Sequence, residues 1–312
     1  MPMNLSAPIR VYWDVRADIN TEKPASGAEK TVIAILERLT REKIFYLSIS
    51  GWENISYEAL REMLPGLDKN GISVSLMLSG GKTLPENELL LHASYAKEFV
   101  FEIDSEKDLT KLSSLQKILK KTPARISVSI YPHEGNYGRI PSIIEYYAKN
   151  GVQNFIIPAP GIADKSKISA RDHSLREKIA RAINSSPSSR NGTLNFIVHD
   201  PFLWKLLDPR CFENKKMTFE GCQAADSIAY IDFKGDVFPC LLLPIRLGNL
   251  LQDSLKEIWS SKERKAVRKK IEDIPENCKK CSRLSECNGG CRGLSLLINN
   301  NICSKDPTCP VC

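Results

Sequence analysis

Apolar positions in the first two hundred residues follow two alternating patterns. Short extended runs, at Ile9 to Asp14, Ile44 to Ile49, Ile72 to Leu78, Phe99 to Ile103, Ile126 to Ile130, Phe155 to Ile157 and Leu194 to Val198, predict strands. Helical-period segments lie between them. Ser26 and Glu29 are spaced as a capping box before a helix whose Ile33, Leu36 and Leu39 share a face and which ends near Arg41. Ser56 is placed to cap the next, which closes at Asn70-Gly71. A short helix follows Pro85. Leu109 to Lys120, Ile140 to Lys149 (ending at Asn150-Gly151) and Ser174 to Asn184 predict three more. Such alternation predicts an α/β fold: a parallel sheet with right-handed crossovers, closed into a partial or full (β/α) barrel. The barrel is expected over residues 1–207, with a linker near Asp208-Pro209-Arg210 and a second domain over 208–312. Chemistry on such a barrel belongs on the loops after the C-terminal strand ends.

Composition narrows the classes. At 312 residues and 42% hydrophobic content the chain can bury one large core or two modest ones. No apolar run is long enough to span a bilayer, which argues against a membrane protein. Met1-Pro2-Met3-Asn4 does not read as a secretory signal, so a reducing cytoplasmic location is expected. Formal net charge is +7, and residues 256–283 are strongly basic. That basic run reads either as a solvated helix face, Ser261 to Ile271, or as cations gathered near an anionic metal site. No aromatic interleaving or reading motif accompanies it, which argues against nucleic acid as a partner.

Sulfur is concentrated at one end. All ten cysteines lie between Cys211 and Cys312, and four of them, Cys278, Cys281, Cys287 and Cys291, form a C-x2-C-x5-C-x3-C run. A C-x2-C step brings two sulfurs within reach of one metal centre, and the intervening Lys, Asn and Gly suit tight exposed loops. Disulfides, zinc and iron–sulfur clusters all use dense cysteines; the first needs an oxidising compartment, and the other two accept four thiolates. Elsewhere, His199-Asp200 at a strand end could pair as acid and base. His92, His133 and His173 are scattered, and no nucleophile triad or phosphate-binding loop is present.

The flanking residues sharpen this. Cys222, Gly235 and Cys240 precede the run, Leu247-Gly248-Asn249-Leu250 and Ser254 to Trp259 follow them, and Asp306-Pro307-Thr308-Cys309 closes the pattern. Over about residues 211–312 this resembles the SPASM domain, the C-terminal extension of many radical-SAM peptide-modifying enzymes. The resemblance implies a domain with little regular structure and two 4Fe–4S clusters. One would be held by Cys211, Cys222, Cys240 and Cys291, the other by Cys278, Cys281, Cys287 and Cys309. Cys303 and Cys312 are left over. A radical-SAM barrel also carries C-x3-C-x2-C after its first strand; here Trp13 to Lys23 holds no cysteine. The loop Ser48 to Glu53 looks like a worn Gly-Gly-Glu-Pro motif, with Trp52 where a Gly would be and Asn54 for the Pro, and Leu78-Ser79-Gly80-Gly81-Lys82-Thr83-Leu84 looks like a worn Thr-Asn-Gly-Thr. The barrel thus resembles a degenerate one, which argues against SAM as a cofactor and against SAM cleavage by this chain on its own. The whole chain resembles the stand-alone SPASM-domain proteins of GeoRSP peptide-modification systems. That resemblance implies an accessory protein, an electron relay or docking scaffold beside a radical-SAM/SPASM enzyme, a PqqD-like chaperone and a ribosomal peptide substrate. Two other readings stay open: a zinc- or cluster-stabilised non-redox adaptor that binds peptide, and an enzyme using Asp14, Glu53 and His199.

Overall fold

The computed structural model describes residues 5–16, 28–79, 85–103, 113, 115–133, 135–158, 173–208 and 221–311. In chain order the principal elements are β1 (Arg10–Asp14), α1 (Ala28–Arg41), β2 (Tyr46–Ser50), α2 (Tyr57–Lys69), β3 (Ser73–Ser79), α3 (Glu86–Ala93), β4 (Glu98–Ile103) and β5 (Arg125–Ile130). Then come α4 (Ile140–Lys149), β6 (Asn154–Ile157), α5 (His173–Ser185), β7 (Asn195–Val198), β8 (Ile228–Ile231), β9 (Asp236–Phe238) and β10 (Gly248–Asn249). Three helices complete the chain: α6 (Leu255–Ser260), α7 (Lys262–Glu272) and α8 (Arg292–Asn299). All seven strands expected before residue 208 form. Ser56 caps α2 through its side chain, which accepts from Ala59 N. Gly71 and Gly151 take left-handed φ of 75° and 88° just past their helices, as chain reversal there requires. The Ser26 cap and residues 109–112 of the expected fourth helix lie outside the described residues; 115–119 are helical.

The chain divides into two compact units. The first comprises Met1–Phe101, Lys111–Arg125 and Gln223–Lys270. Its strands run in the order β10-β9-β8-β1-β2-β3, with β4 following. β1, β2 and β3 are parallel neighbours in sequence order, the arrangement of a barrel wall rather than a doubly wound sheet. On its other side β1 pairs in parallel with β8, Trp13 standing opposite Ile231, and β8, β9 and β10 continue as an antiparallel ladder. Trp13, Leu47, Ile49 and Leu76 are buried in this sheet. α1 packs with Val32, Ile35, Leu36 and Leu39 buried, so the apolar face is turned one residue from the expected Ile33, Leu36, Leu39 set. The second unit comprises Glu102–Thr110, Ile126–Cys222 and Ile271–Cys312. β5, β6 and β7 are parallel in sequence order, and Phe155 stacks on Phe196 across β6 and β7 at 5.4 Å.

The cysteine-rich segment is more ordered than its pattern suggested. The described cysteines sit in turns, single helical turns or an isolated bridge, yet three strands and four helices, one of them the four-residue Leu284–Cys287, run between or beside them. The reason is burial: Leu255, Ile258 and Trp259 of α6 and Val267 and Ile271 of α7 recur at helical spacing and are all buried.

Candidate metal centre

Four cysteines of the second unit surround one pocket. Cys278 ends a single 3-10 turn, its N–H donating to Pro275 O at 2.8 Å, and Cys281 N donates to Cys278 O at 3.0 Å. Cys287 ends a short helical turn, Leu284–Cys287. Asn288, Gly289 and Gly290 then adopt positive φ of 48°, 82° and 77°, which reverses the chain within three residues. Cys309 returns from the far end, its N–H donating to Asp306 O at 3.1 Å. These four cysteines line one small pocket, together with Phe202, Asn277, Leu284, Gly289 and Asp306.

Each of the two glycines admits a particular neighbour. A Cβ on Gly289 would stand 2.8 Å from Arg292 Nη2, and one on Gly290 would stand 2.4 Å from Asp306 Cβ. Asp306, 1% exposed, clamps the closing turn. Its Oδ2 accepts from Cys291 N at 2.7 Å; its Oδ1 accepts from Thr308 N at 2.8 Å and Thr308 Oγ1 at 2.6 Å. Thr308 is held from its other side by Arg176, which is 1% exposed. Nη1 donates to Thr308 O at 2.8 Å and Nη2 to Thr308 Oγ1 at 2.9 Å, while Nε pairs with Asp200 Oδ2 at 2.9 Å. Asp200 also caps the short helix Pro201–Trp204, its side chain accepting from Phe202 N and Leu203 N. Arg292 follows Cys291 and lies 2% exposed. It donates to the carbonyls of Gly289, Ile271, Asp273 and Asn288.

The electrostatics are those of crowded sulfurs. Burial pushes the Cys278 thiol above its ordinary range; the charges of Cys309, Cys287 and Cys281 push the same way, and Arg292 pulls against them. Cys287 is also raised, first by burial and then by Cys309 and Cys281, against N–H donors at Gly289 and Gly290. Thiols that oppose one another's ionisation are relieved by a cation, and loading such a site must release protons. Cys278, Cys281, Cys287 and Cys309 form no disulfide. Among the described residues no three His, Cys, Asp or Glu side chains close down on a single-ion site. A donor set of four thiols around one pocket fits a tetrathiolate metal centre, which an iron–sulfur cluster or a zinc ion can each form.

The other expected ligands fall as follows. Cys240, in the first unit, forms an isolated bridge with Leu243, and Ala225 N donates to Pro239 O at 3.3 Å beside it. Cys291 N-caps α8, and Cys222 ends the central stretch of the second unit. Cys211 and Cys312 lie outside the described residues; Cys303 is exposed. Motif residues of the first unit have plain physical jobs. Gly235, φ 82°, closes the β8–β9 turn, and a Cβ there would touch Ile35 Cδ1 at 3.3 Å. Asn249 donates to Lys234 O and Asp236 Oδ1 and accepts from Leu251 N, so it fastens β10 to that turn. Ser254 and Glu257 complete a capping box on α6. Not all of the basic helix α7 faces solvent. Arg264, 8% exposed, donates to Trp259 O and Ala225 O, and Arg268 donates to Ala224 O.

Residues 222–282 match the SPASM family, an iron-sulfur cluster-binding domain. The chain carries a SPASM domain. Its fold is that of radical-SAM/SPASM enzymes. SuiB of Streptococcus suis bound to S-adenosylmethionine is 16% identical with a TM-score of 0.68, covering 98% of this chain and 78% of that one. SuiB bound to its precursor peptide SuiA gives 0.73 at 15% identity over 98% and 77%. anSMEcpe with bound AdoMet gives 0.68 at 15% identity over 96% and 90%. A curated relative, the AdoMet-dependent heme synthase of Methanosarcina barkeri, is 27% identical over 90 residues, 29% of this chain and 26% of that protein. This chain therefore aligns with only about a quarter of that relative's length.

At the end of β1 the SPASM protein places an ion pair. Arg16 Nε and Nη2 donate to Asp14 Oδ1 and Oδ2 at 2.8 and 2.6 Å. A Cβ on Gly51, φ 71°, would fall 2.3 Å from Arg16 Cγ, so that loop needs glycine against this side chain. Trp52 is fully buried, donates Nε1–H to Met77 O at 2.8 Å and packs on His92 of α3. Tyr230 of β8 is pushed above the ordinary phenol range by burial, then by Asp14 and Asp232. Asp14 and Glu53 belong to the first unit and His199 to the second. Residues 80–84, with the worn Thr-Asn-Gly-Thr, lie outside the described residues. No described helix is long and apolar enough to cross a membrane.

Proposed function

We propose that this SPASM protein is a cytoplasmic iron–sulfur accessory protein of a radical-SAM peptide-modification system, serving its cognate radical-SAM/SPASM enzyme as electron relay and docking scaffold. The observation that carries the reading is the ring of Cys278, Cys281, Cys287 and Cys309 around one pocket. A second cluster on Cys211, Cys222, Cys240 and Cys291 rests on the family resemblance. A bound cluster supplies one-electron redox chemistry. The chain supplies the rest. Asp306 and Arg176 fix the Cys309 turn, Gly289 and Gly290 bring the Cys287 loop close, and Phe202 and Leu284 keep the pocket wall apolar. The stretch after β1 contains no cysteine, so in this reading the chain does not cleave SAM; its partners are the enzyme, a PqqD-like chaperone and a ribosomal peptide. That SuiB is solved with its precursor peptide supports a peptide as the substrate of the whole system.

Anaerobic purification tests this. Iron and sulfide in equal amounts, lost in part from a Cys281→Ala variant, support the reading; zinc without sulfide leaves the adaptor reading in its place. Deoxyadenosine formed from SAM by the reduced, isolated chain overturns the accessory role.

A further inference from the structure

Arg292 presents a problem of charge. A guanidinium taken from water needs an anion close by, or it destabilises the fold. Arg292 is 2% exposed, and among the described residues its hydrogen-bond partners are four backbone carbonyls, with no carboxylate among them. Asp306, a buried carboxylate that also lines the pocket, directs its oxygens to Cys291 N, Thr308 N and Thr308 Oγ1. The fork nonetheless sits directly behind the pocket wall. Nη1 donates to the carbonyl of Gly289, which lines the pocket with the four cysteines, at 3.0 Å. Any side chain at Gly289 would displace it, since a Cβ would meet Nη1 at 2.9 Å and Nη2 at 2.8 Å. The chain thus holds a fixed positive charge behind the sulfurs, and the glycine gives it room.

We propose that Arg292 is the built-in counter-charge of the Cys278–Cys281–Cys287–Cys309 site, a positioning and tuning residue that offsets the net negative charge of four thiolates with their cluster and eases its one-electron reduction. The proposal rests on the cluster reading above. A four-thiolate 4Fe–4S unit carries roughly −2, and one added electron takes it to roughly −3. A buried cation favours both charges, the second more strongly, because little water intervenes to screen it. The carbonyl bonds keep the fork in place and leave its charge available to the sulfurs.

The test is a dithionite titration of the anaerobically reconstituted full chain, followed by electron paramagnetic resonance, with iron counted in each variant. The signal that disappears in Cys281→Ala marks the site. Arg292→Met, which removes the charge and keeps bulk, is expected to lower the reduced fraction at fixed potential at least tenfold, a negative shift of about 59 mV for one electron. Arg292→Lys, which keeps charge but not the fork, is expected to recover at least half of that shift. An unmoved potential in Arg292→Met with full iron overturns the proposal, and so does Arg292→Lys matching Arg292→Met in its potential shift or, where Arg292→Met loses iron, in that loss. Wild-type protein that takes up no iron removes the cluster reading itself, and this inference with it.

Discussion

Asp306→Asn is an isosteric change with a large expected effect. The carboxylate faces only donors: Cys291 N on Oδ2, and Thr308 N and Thr308 Oγ1 on Oδ1. The Thr308 hydroxyl cannot reverse its role, because Arg176 Nη2 already donates to it at 2.9 Å. An amide has one accepting oxygen. The best orientation keeps that oxygen on Thr308 and turns the NH2 against the N–H of Cys291, so one hydrogen bond becomes a donor facing a donor. One buried donor left unsatisfied and two charge-assisted bonds weakened to neutral ones cost about 2–4 kcal/mol. The site is 1% exposed, so water cannot step in. Because Asp306 joins the Cys291 and Cys309 segments, the loss should appear twice: as a lower denaturation midpoint and as reduced iron per chain after anaerobic reconstitution. An Asp306→Asn protein that unfolds within about 0.5 kcal/mol of wild type and binds full iron would refute the reasoning, since surface-like tolerance of that size is incompatible with a buried clamp.

Three further outcomes are expected. Arg176→Met breaks a buried pair and leaves Asp200 charged beside its helix cap, at about 3–5 kcal/mol by urea unfolding; Arg176→Lys should cost less, and a change under about 1 kcal/mol would show the link to Thr308 to be idle. Gly248→Ala places a Cβ 2.7 Å from Ile258 Cγ1, so overpacking should cost about 1–3 kcal/mol, and that cost should largely vanish in an Ile258→Ala background, which lacks Cγ1, in a double-mutant cycle. Cys278 and Cys287 have folded-state pKa values above those of the unfolded chain. In metal-free protein their contribution to stability is therefore complete below the ordinary thiol pKa of about 8.5 and is lost as pH rises through the folded values. Melting of the metal-free chain should fall above that pH, while iron loading, which needs thiolates, should improve; a metal-free melting temperature that climbs with alkaline pH refutes the assignment.

Much of this was legible in the sequence, and the gaps share a cause. Strands such as Ile44 to Ile49 and terminators such as Asn70-Gly71 are local signals, written in a few adjacent residues, and they formed as expected. Cys278, Cys281, Cys287 and Cys309, the set that the family resemblance implies, line one pocket. Long-range pairing was not legible. Nothing in Ile228–Ile231 says that it lies beside β1, because a short apolar run specifies burial and not its neighbour. The inward arginines were equally hidden. Arg264 and Arg268 occupy a run that reads as a solvated face, yet their forks reach backbone carbonyls at 224, 225 and 259. Arg176, Arg292 and Asp306 look like ordinary surface charges in one dimension. A trace of Arg292 was available in Asn288-Gly289-Gly290-Cys291: two consecutive glycines mark backbone approached closely, and here the approaching groups are a guanidinium and a carboxylate.

The cysteine-rich segment is part of both cores, which changes what its metal must do. Residues 223–270 belong to the first unit, where β8 covers one edge of β1, Trp259 is fully buried with its Nε1–H on Asp226 O, and Glu42 accepts from Leu255 N. Residues 271–312 belong to the second, where Thr308 is fixed by Arg176 and Asp200 of the barrel-type half. Thiolates embedded this way are held by groups that also finish a hydrophobic core, so stabilising the fold and carrying electrons are not competing roles for the same cysteines. A centre that gains negative charge each time it is reduced is stabilised by a guanidinium behind its wall. At the end of β1, Asp14 and Arg16 pair at 2.6 Å. In the second unit the buried guanidinium of Arg292 donates to Gly289 O in the pocket wall, beside the place where the proposed electron would go.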